Sequence, residues 1–168
     1  MDTVVFNIGD QVVHCVYGPG EVIQLDKKEI SGHSALYYVV KSGTLTLWVP
    51  VESKVKPSLR RLTPAGEFKK LLAILTSPSE PLSGDRLERK TFLIERMHDG
   101  TLESICRVVR DLYSFSRMKK MSDYDVSIME RARDYLLKEW RLALSVPLAQ
   151  AESELKQLLE SGTHSSDK

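Results

Sequence analysis

The chain has 168 residues, of which 42% are hydrophobic, and a formal net charge of +1. This length provides for one ordinary domain or two small ones, each with a packed core. The near-neutral charge excludes a global electrostatic attraction to nucleic acids or membranes. The sequence shows no signal-peptide pattern and no apolar stretch of the roughly 20 residues that a membrane-spanning helix needs. We therefore expect a cytoplasmic protein, with Cys15 and Cys106 reduced rather than paired.

Residues 1–62 have the pattern of short β-strands. Apolar residues alternate with polar ones or form β-branched runs in QVVHCV, GEVIQL, ALYYVVK and TLTLWVPV, and turns that contain glycine or serine separate these segments. A sheet of four or five such strands must curl to enclose a core. The pattern therefore predicts a small β-barrel over residues 1–62.

From Thr63 onward the spacing of apolar residues becomes helical. Thr63 and Pro64 suit the N-cap and first position of a helix that continues to about residue 75. Further helices are predicted over about 85–98, from 101, from 122 and over about 147–161, followed by a disordered tail at 163–168. The fold class is α+β, with an all-α domain over residues 63–162. The link LTSPSEPLSG leaves open whether the first helix belongs to the barrel or lies between the domains.

The sequence contains no recognisable catalytic constellation. His14 adjoins Cys15, but neighbours on a strand point to opposite faces, and no further ligand stands at metal-binding spacing. The turn at Gly18-Pro19-Gly20 joins two predicted strands and lacks the helix N-terminus that would hold a phosphate. No nucleophile elbow, zinc-protease motif or Walker motif occurs. We therefore expect a binding module, not an enzyme, with no catalytic residue, metal or cofactor.

The segment TLTLWVP offers a candidate binding residue. Leu45, Leu47 and Val49 share one face of the predicted strand, and Trp48 lies on the other. If the leucine face fills the core, Trp48 lies outside, where a large amphipathic side chain is suited to anchor an interface. The alternative is that Trp48 packs beneath the helix predicted at 64–75. The alternation alone leaves both environments open.

Two long segments carry a family resemblance. IGDQVVHCVYGPGEVIQLDKKEISGHSALYYVV, followed by TLWVPVE, resembles the N-terminal RNA-polymerase-interacting domain of the CarD/CdnL family of bacterial transcription regulators, a domain also present in transcription-repair coupling factor. GTLESICRVVRDLYSFSRMKKMSDYDVSIMERARDYLLKEW is similar to that family's C-terminal helical domain. The resemblance covers nearly the whole chain, and it implies that the N-terminal barrel is Tudor-like.

The resemblance also implies partners. It implies a barrel that docks on the lobe of the RNA polymerase β subunit, partly by strand addition, and a helical domain that contacts promoter DNA at the upstream edge of the melted region. The family's basic polymerase-contacting positions fall on Lys28 and Trp48 in this sequence. Trp48 replaces an arginine found in some members, which changes that contact from ionic to apolar. We expect a monomer that is associated with the nucleoid through the polymerase.

The helical domain departs from the family pattern at one position. The family commonly places a tryptophan wedge where this sequence has Arg86. Arg86 as a cation, or Leu87 as a lesser wedge, is then the candidate to enter a minor groove. Two alternative functions are therefore consistent with the resemblance. One is a regulator that bridges polymerase and promoter DNA, and the other is an adaptor that binds polymerase or another partner without productive DNA contact.

Charge is unevenly distributed along the helical domain. Residues 84–121 hold nine Lys or Arg and six Asp or Glu, whereas residues 122–168 hold six and nine. The first part therefore suits DNA phosphates, although no base-reading motif is visible and no sequence preference is expected. Solvated helix faces are the alternative for any one of these cations. The DNA-binding candidates are Arg86, Leu87, Arg89, Lys90 and Arg96, with Arg107, Arg110, Lys119 and Lys120 nearby.

Overall fold

The computed structural model describes residues 6–52 and 58–165. The chain divides into two compact units, residues 1–62 and 63–168. Within the described residues the first unit holds five β-strands, and the second holds five α-helices and one 3-10 helix. This distribution confirms the predicted α+β class.

The first unit is a five-stranded antiparallel sheet. Its strands are β1 (Gln11–His14), β2 (Gly18–Ile30), β3 (His33–Ser42), β4 (Leu45–Pro50) and β5 (Leu59–Arg61). They are arranged in the order β4-β3-β2-β1-β5, so β4 and β5 are the two edges. No hydrogen-bonded ladder joins those edges in the described part of the chain. The sheet is therefore not closed into the predicted barrel by backbone pairing.

A hydrophobic cluster covers one face of this sheet. It receives side chains from all five strands and from the segment before β1, namely Phe6, Val12, Val22, Tyr38, Val40, Val49 and Leu59. Both edge strands reach the cluster, through Val49 and Leu59, so the sheet must curl around it. The β2–β3 register shifts between Val22 and Gln24, and such a bulge increases the local bend. Curling thus encloses the core that barrel closure was expected to enclose.

The Gly-Pro-Gly turn has a structural role. Gly18 has a φ of 80°, a left-handed conformation that glycine adopts without steric cost. A Cβ added to Gly20 would lie 2.8 Å from the carbonyl oxygen of Lys41 and 2.8 Å from Val40 Cγ1. The two glycines therefore provide the chain reversal and the close approach of β2 to β3.

The second unit is helical. It consists of α1 (Ala65–Leu71), a 3-10 helix (Leu72–Thr76), α2 (Arg86–Asp99), α3 (Leu102–Met118), α4 (Asp123–Leu144) and α5 (Leu148–Ser165). The α-helices lie where the apolar spacing predicted them. Helix α5 continues through Ser165, three residues into the segment that was predicted as a tail, and residues 166–168 lie outside the described residues. None of the described helices is long and apolar enough to cross a membrane.

Helix α1 groups with the helical unit and not with the β-rich unit. Its Phe68 is fully buried, and the ring centroid of this residue lies 5.8 Å from that of Trp140 on α4. Just before α1, Thr63 donates from its backbone N–H and its hydroxyl to the buried carboxylate of Glu139, at 3.0 and 2.7 Å. Aromatic packing and these hydrogen bonds hold the start of the unit against α4.

Candidate functional site

The two residues predicted to contact polymerase lie together in the structure. Lys28 Nζ is 3.6 Å from the ring centroid of Trp48. In the strand register, Lys28 is opposite Ala35 and Trp48 is opposite Val39, so both side chains lie on the same face of the sheet. That face is opposite the one that holds the hydrophobic core. A cation over the face of a tryptophan is attracted by the ring quadrupole, so the two residues form one surface feature.

Trp48 lies outside the core. Val49 belongs to the core cluster and Leu47 packs against it, while Leu45 is exposed. Trp48 is on the opposite face of β4 and is 40% exposed. Of the two environments that the strand alternation left open, the structure therefore shows the exposed one.

The backbone around Trp48 is at the edge of the sheet. Among the described residues β4 pairs with β3 alone. Val51, the residue after β4, donates its N–H to the carbonyl of Leu36 at 2.9 Å. Since Pro50 is opposite Tyr37, Val51 and Leu36 are the next opposed residues, and they form a hydrogen-bonded pair. Such pairs alternate along an antiparallel ladder, so Thr46 and Trp48 direct their N–H and C=O groups away from β3. Pro50 directs only a carbonyl outward, because it has no N–H. The edge is thus a short template for one further strand.

The start of α2, the end of α3 and the start of α4 meet at one end of the helical unit. The guanidinium carbon of Arg89, on α2, lies 4.6 Å from the ring centroid of Phe115, on α3. The same guanidinium pairs with Asp125, in the first turn of α4. A Cβ added to Gly84 would lie 3.6 Å from Lys119 Nζ. We call this surface the α2–α3 end, and we define it by the exposed side chains of Arg86, Leu87, Lys90, Met118, Lys119 and Lys120.

Arg89 does not belong to this exposed surface, contrary to its prediction as a DNA contact. Its side chain is 4% exposed. Nε and Nη2 donate to the two carboxylate oxygens of Asp125, each at 2.9 Å, and Nη1 donates to the Ser83 carbonyl at 2.9 Å. A signal for this burial exists in the sequence, since Arg89 shares helical spacing with Leu93 and Met97, which are both buried. Arg89 is a structural residue that holds the turn before α2.

Asp125 connects two helix N-termini. Ser122 and Asp125 form a capping box in which the Ser122 N–H donates to the carboxylate at 2.8 Å and the Asp125 N–H donates to the hydroxyl at 3.2 Å. Burial alone would raise the pKa of Asp125. The hydrogen bonds from Arg89 and Ser122 outweigh burial and hold this pKa below its ordinary value. The carboxylate is therefore ionised at neutral pH and binds α2 to the start of α4.

Three of the remaining DNA-binding candidates lie at the α2–α3 end. Arg86 and Leu87 occupy the first turn of α2, and Leu87 is 71% exposed. Lys90 is exposed, with Nζ 4.5 Å from the ring centroid of Tyr124. Because all three start from the first two turns of one helix, the structure brings them together.

Arg96 is placed differently. It lies further along α2 and is largely covered, with its guanidinium carbon 5.0 Å from the ring centroid of Phe92 and Nη2 3.7 Å from a carboxylate oxygen of Glu80. Two neighbouring cations on α3 also have local partners. Arg107 pairs with Glu103 at 2.6 Å, and the buried Arg110 pairs with Asp111 at 2.8 Å. These three arginines do not extend the α2–α3 end.

Cys106 and His14 have side chains of types that can act in catalysis, but both have structural roles here. Burial raises the pKa of the Cys106 thiol to about 12, with the Glu139 charge acting in the same direction, so this thiol is unreactive. His14 Nδ1 accepts the N–H groups of Val16 and Tyr17, at 3.0 and 3.3 Å, and thereby holds the turn between β1 and β2. Across residues 6–52 and 58–165 no group of three or more His, Cys, Asp or Glu side chains is arranged to hold a metal.

Comparison with known domain families connects these surfaces to a protein family. Residues 6–63 match the CarD-like/TRCF RID domain, and residues 70–156 match the CarD C-terminal domain. The chain belongs to the CarD family. This membership confirms the predicted resemblance and identifies a family of transcription regulators rather than enzymes. Lys28 and Trp48 fall within the first CarD match, and the α2–α3 end falls within the second.

One relative is similar to this chain over most of its length. The chain is 22% identical over 154 residues to a protein named "Putative transcription factor YdeB" from Bacillus subtilis (strain 168). The aligned region covers 88% of this chain and 98% of that protein. The similarity therefore spans both CarD domains and not the N-terminal one alone.

Proposed function

We propose that this CarD-family protein regulates transcription initiation by binding the RNA polymerase β subunit and contacting promoter DNA near the upstream edge of the bubble, thereby changing the formation or lifetime of the open complex. The observation that carries the proposal is the Lys28–Trp48 pair on an exposed sheet edge, within the domain match that is named for polymerase interaction. Polymerase binding comes from the β-rich unit, and DNA contact comes from the α2–α3 end.

The β4 edge supplies two kinds of contact at one place. The outward N–H and C=O groups of Thr46 and Trp48 pair with an added strand of the polymerase lobe. The Trp48 ring contributes an apolar anchor on one face of that strand, and Lys28 holds the ring. Backbone pairing supplies affinity without much selectivity, so the side chains of Trp48 and Lys28 select the partner.

The α2–α3 end supplies a modest DNA contact. Arg86, Lys90, Lys119 and Lys120 are exposed cations there. Four phosphate contacts support weak binding without sequence preference, which is typically in the range of about 10⁻⁴ to 10⁻⁶ M at physiological salt. Recruitment by polymerase then provides the local concentration that free DNA binding lacks.

The proposal is tested by separating the two contacts. Trp48→Ala is expected to reduce retention by the isolated polymerase β lobe, whereas Leu45→Ala, an exposed apolar change on the other face of β4, retains it. A promoter footprint with polymerase is expected to extend at the upstream bubble edge when the protein is added. Retention by the lobe without any footprint or kinetic effect would favour the adaptor alternative. Equal retention of the parent and Trp48→Ala would contradict the proposed polymerase surface.

A further inference from the structure

We propose that two copies of this chain associate reversibly through a free edge of β2, where residues 25–29 pair antiparallel with the same residues of the second copy. The association goes beyond the proposed function, because neither polymerase binding nor DNA contact requires it. A monomer was expected from the sequence, and the free edge of β2 is the reason to replace that expectation.

β2 has an unpaired edge beyond Val22. β1 pairs with β2 over Gly18–Glu21, and the last hydrogen bonds on that side join Val22 to Gly9 and Asp10. In the described part of the chain no strand continues along residues 24–30 on that side. β2 therefore extends past its neighbour β1 while it stays paired with β3.

The ladder determines which backbone groups point toward this edge. Leu36 accepts the N–H of Val51, so the backbone groups of Leu36 point toward β4 and away from β2. Lys27 is opposite Leu36, and its own N–H and C=O groups therefore point away from β3. The same holds two residues to either side, at Leu25 and Glu29. Three N–H and three C=O groups thus line the free edge, and no proline interrupts them, in contrast to the β4 edge.

The side chains beside this edge leave it accessible. Lys27, Lys28 and Glu29 are exposed, Leu25 is 38% exposed and Asp26 is partly exposed. An antiparallel pair of identical strands centred on Lys27 aligns Lys27 with Lys27 and Leu25 with Glu29. In that register the outward groups of one copy meet the outward groups of the other, so all of them can form hydrogen bonds.

Charge identifies the occupant as a second copy. The same register places Asp26 of each copy opposite Lys28 of the other, so two cross-strand ion pairs form on one face. On the other face the two Lys27 side chains are opposite each other, but each is diagonal to Glu29 of the second copy, within reach of a long side chain. Lysines on an edge discourage a strand that lacks matching acids. The segment LDKKE supplies those acids to itself.

Sedimentation equilibrium of the full chain across the micromolar to millimolar range tests the association. A reversible monomer–dimer equilibrium is expected. Lys27→Pro removes an outward N–H in each copy without removing a bond to β3, and is expected to weaken dimerisation about tenfold or more. The matched control Lys27→Ala keeps that N–H and is expected to dimerise about as well as the parent. A chain that stays monomeric throughout, or a dimer that Lys27→Pro leaves unchanged, would overturn the proposal.

A charge exchange tests the register, and it keeps the proposal falsifiable if Lys27→Pro melts earlier than the parent. Asp26→Lys and Lys28→Asp each oppose like charges across the two strands, so each alone is expected to weaken self-association about threefold to tenfold. Mixed in equal amounts, the two variants oppose unlike charges again, and the mixed dimer is expected to regain the affinity of the parent. Failure of the mixture to recover would assign the dimer to another surface and contradict the proposal. Polymerase is absent from both experiments, so their results do not depend on the proposed function.

Discussion

Lys28 Nζ lies 3.6 Å from the ring centroid of Trp48, although the two residues belong to β2 and β4 and β3 lies between them. The aligned faces of the three strands bring the cation across the sheet to the ring. A half-exposed tryptophan whose face is covered by an ammonium group has less rotational freedom than one in solvent. The pair is therefore an ordered surface feature, and order before binding would reduce the entropy lost at the polymerase contact proposed above.

Trp48→Ala is expected to weaken binding to the polymerase β lobe by roughly thirtyfold, because loss of a central aromatic anchor costs about 2 kcal/mol. Its effect on folding is expected to be about 1 kcal/mol or less, since the ring lies outside the core and loses mainly the Lys28 contact. Calorimetric titration and urea denaturation measure the two effects. A large fall in stability with unchanged affinity would instead assign Trp48 a packing role.

Lys28→Met and Trp48→Ala are expected to be coupled. Lys28→Met retains the aliphatic stem and removes the charge, so it isolates the cation–π contact. A double-mutant cycle on the free energy of unfolding is expected to give about 0.5 to 1 kcal/mol of coupling. Lys27→Met removes an exposed lysine from the other face of β2 and is a matched control, for which additivity with Trp48→Ala is expected. Additive effects of Lys28→Met and Trp48→Ala would show that the contact contributes nothing in solution.

Arg86→Ala is expected to shorten open-complex lifetime while polymerase affinity stays unchanged, because Arg86 is an exposed cation of the α2–α3 end and takes no part in the β4 edge. The expected effect is about threefold to tenfold and decreases as salt is raised, as for a lost phosphate contact. Arg131→Ala removes an exposed arginine from α4 and serves as the control. Abortive-initiation kinetics at two salt concentrations provide the measurement. Equal kinetics for parent and Arg86→Ala would remove this residue from the mechanism.

Arg89→Met is expected to destabilise the protein by about 3 to 5 kcal/mol, since it leaves the buried carboxylate of Asp125 without its charged partner. Lys138→Met breaks an exposed ion pair with Asp134 on α4 and is expected to cost about 0.5 kcal/mol or less. Urea denaturation compares the two variants. Similar stabilities would mean that the buried pair is no more important for folding than a surface pair.

His14 is expected to make stability depend on pH. Burial lowers the pKa of His14 below its ordinary value of 6.5, so the unfolded chain takes up a proton at a higher pH than the folded protein does. This contribution to stability is therefore present above about pH 6.5 and is lost as the pH falls toward the lowered pKa. His14→Asn keeps an acceptor near the position of Nδ1 and does not titrate. The decrease in stability from pH 7.5 to 5.5 is expected to be larger for the parent than for His14→Asn, and equal decreases would contradict this role.

Much of the fold was predictable because its signals are local. The change from strand to helix spacing at Thr63 and the N-cap residues of α3 and α4 come from near neighbours in sequence. Arg89 was predicted as a DNA contact although its helical spacing with Leu93 and Met97 signals burial. Its charged partner, Asp125, is 36 residues away and is brought close only by packing of α2 against α4. The extent of sheet closure was not predictable for a related reason. Local patterns give the number of strands, whereas the pairing of β4 and β5 depends on the curvature of the whole sheet.

The Lys28–Trp48 pair was predictable only in part. Strand alternation placed Trp48 on the face opposite the leucines, and the structure shows that placement. The proximity of Lys28 required the β2–β3 and β3–β4 registers, neither of which the sequence pattern states. Met118 gave no signal because its helical spacing continues the buried stripe through Leu112 and Phe115. Only the end of the neighbouring helices leaves it exposed.

The shortness of the β4 edge also bears on self-association. An exposed strand edge is a template on which identical chains can assemble into filaments, a hazard that grows with the length of the edge. Here Pro50 withholds a donor at one end, and the N–H groups that remain are those of Thr46 and Trp48. Two donors offer little backbone pairing, so stable docking on this edge also requires a partner that fits the Trp48 side chain. By shortening the register, Pro50 also reduces the number of backbone hydrogen bonds that a second copy of the chain could form along β4.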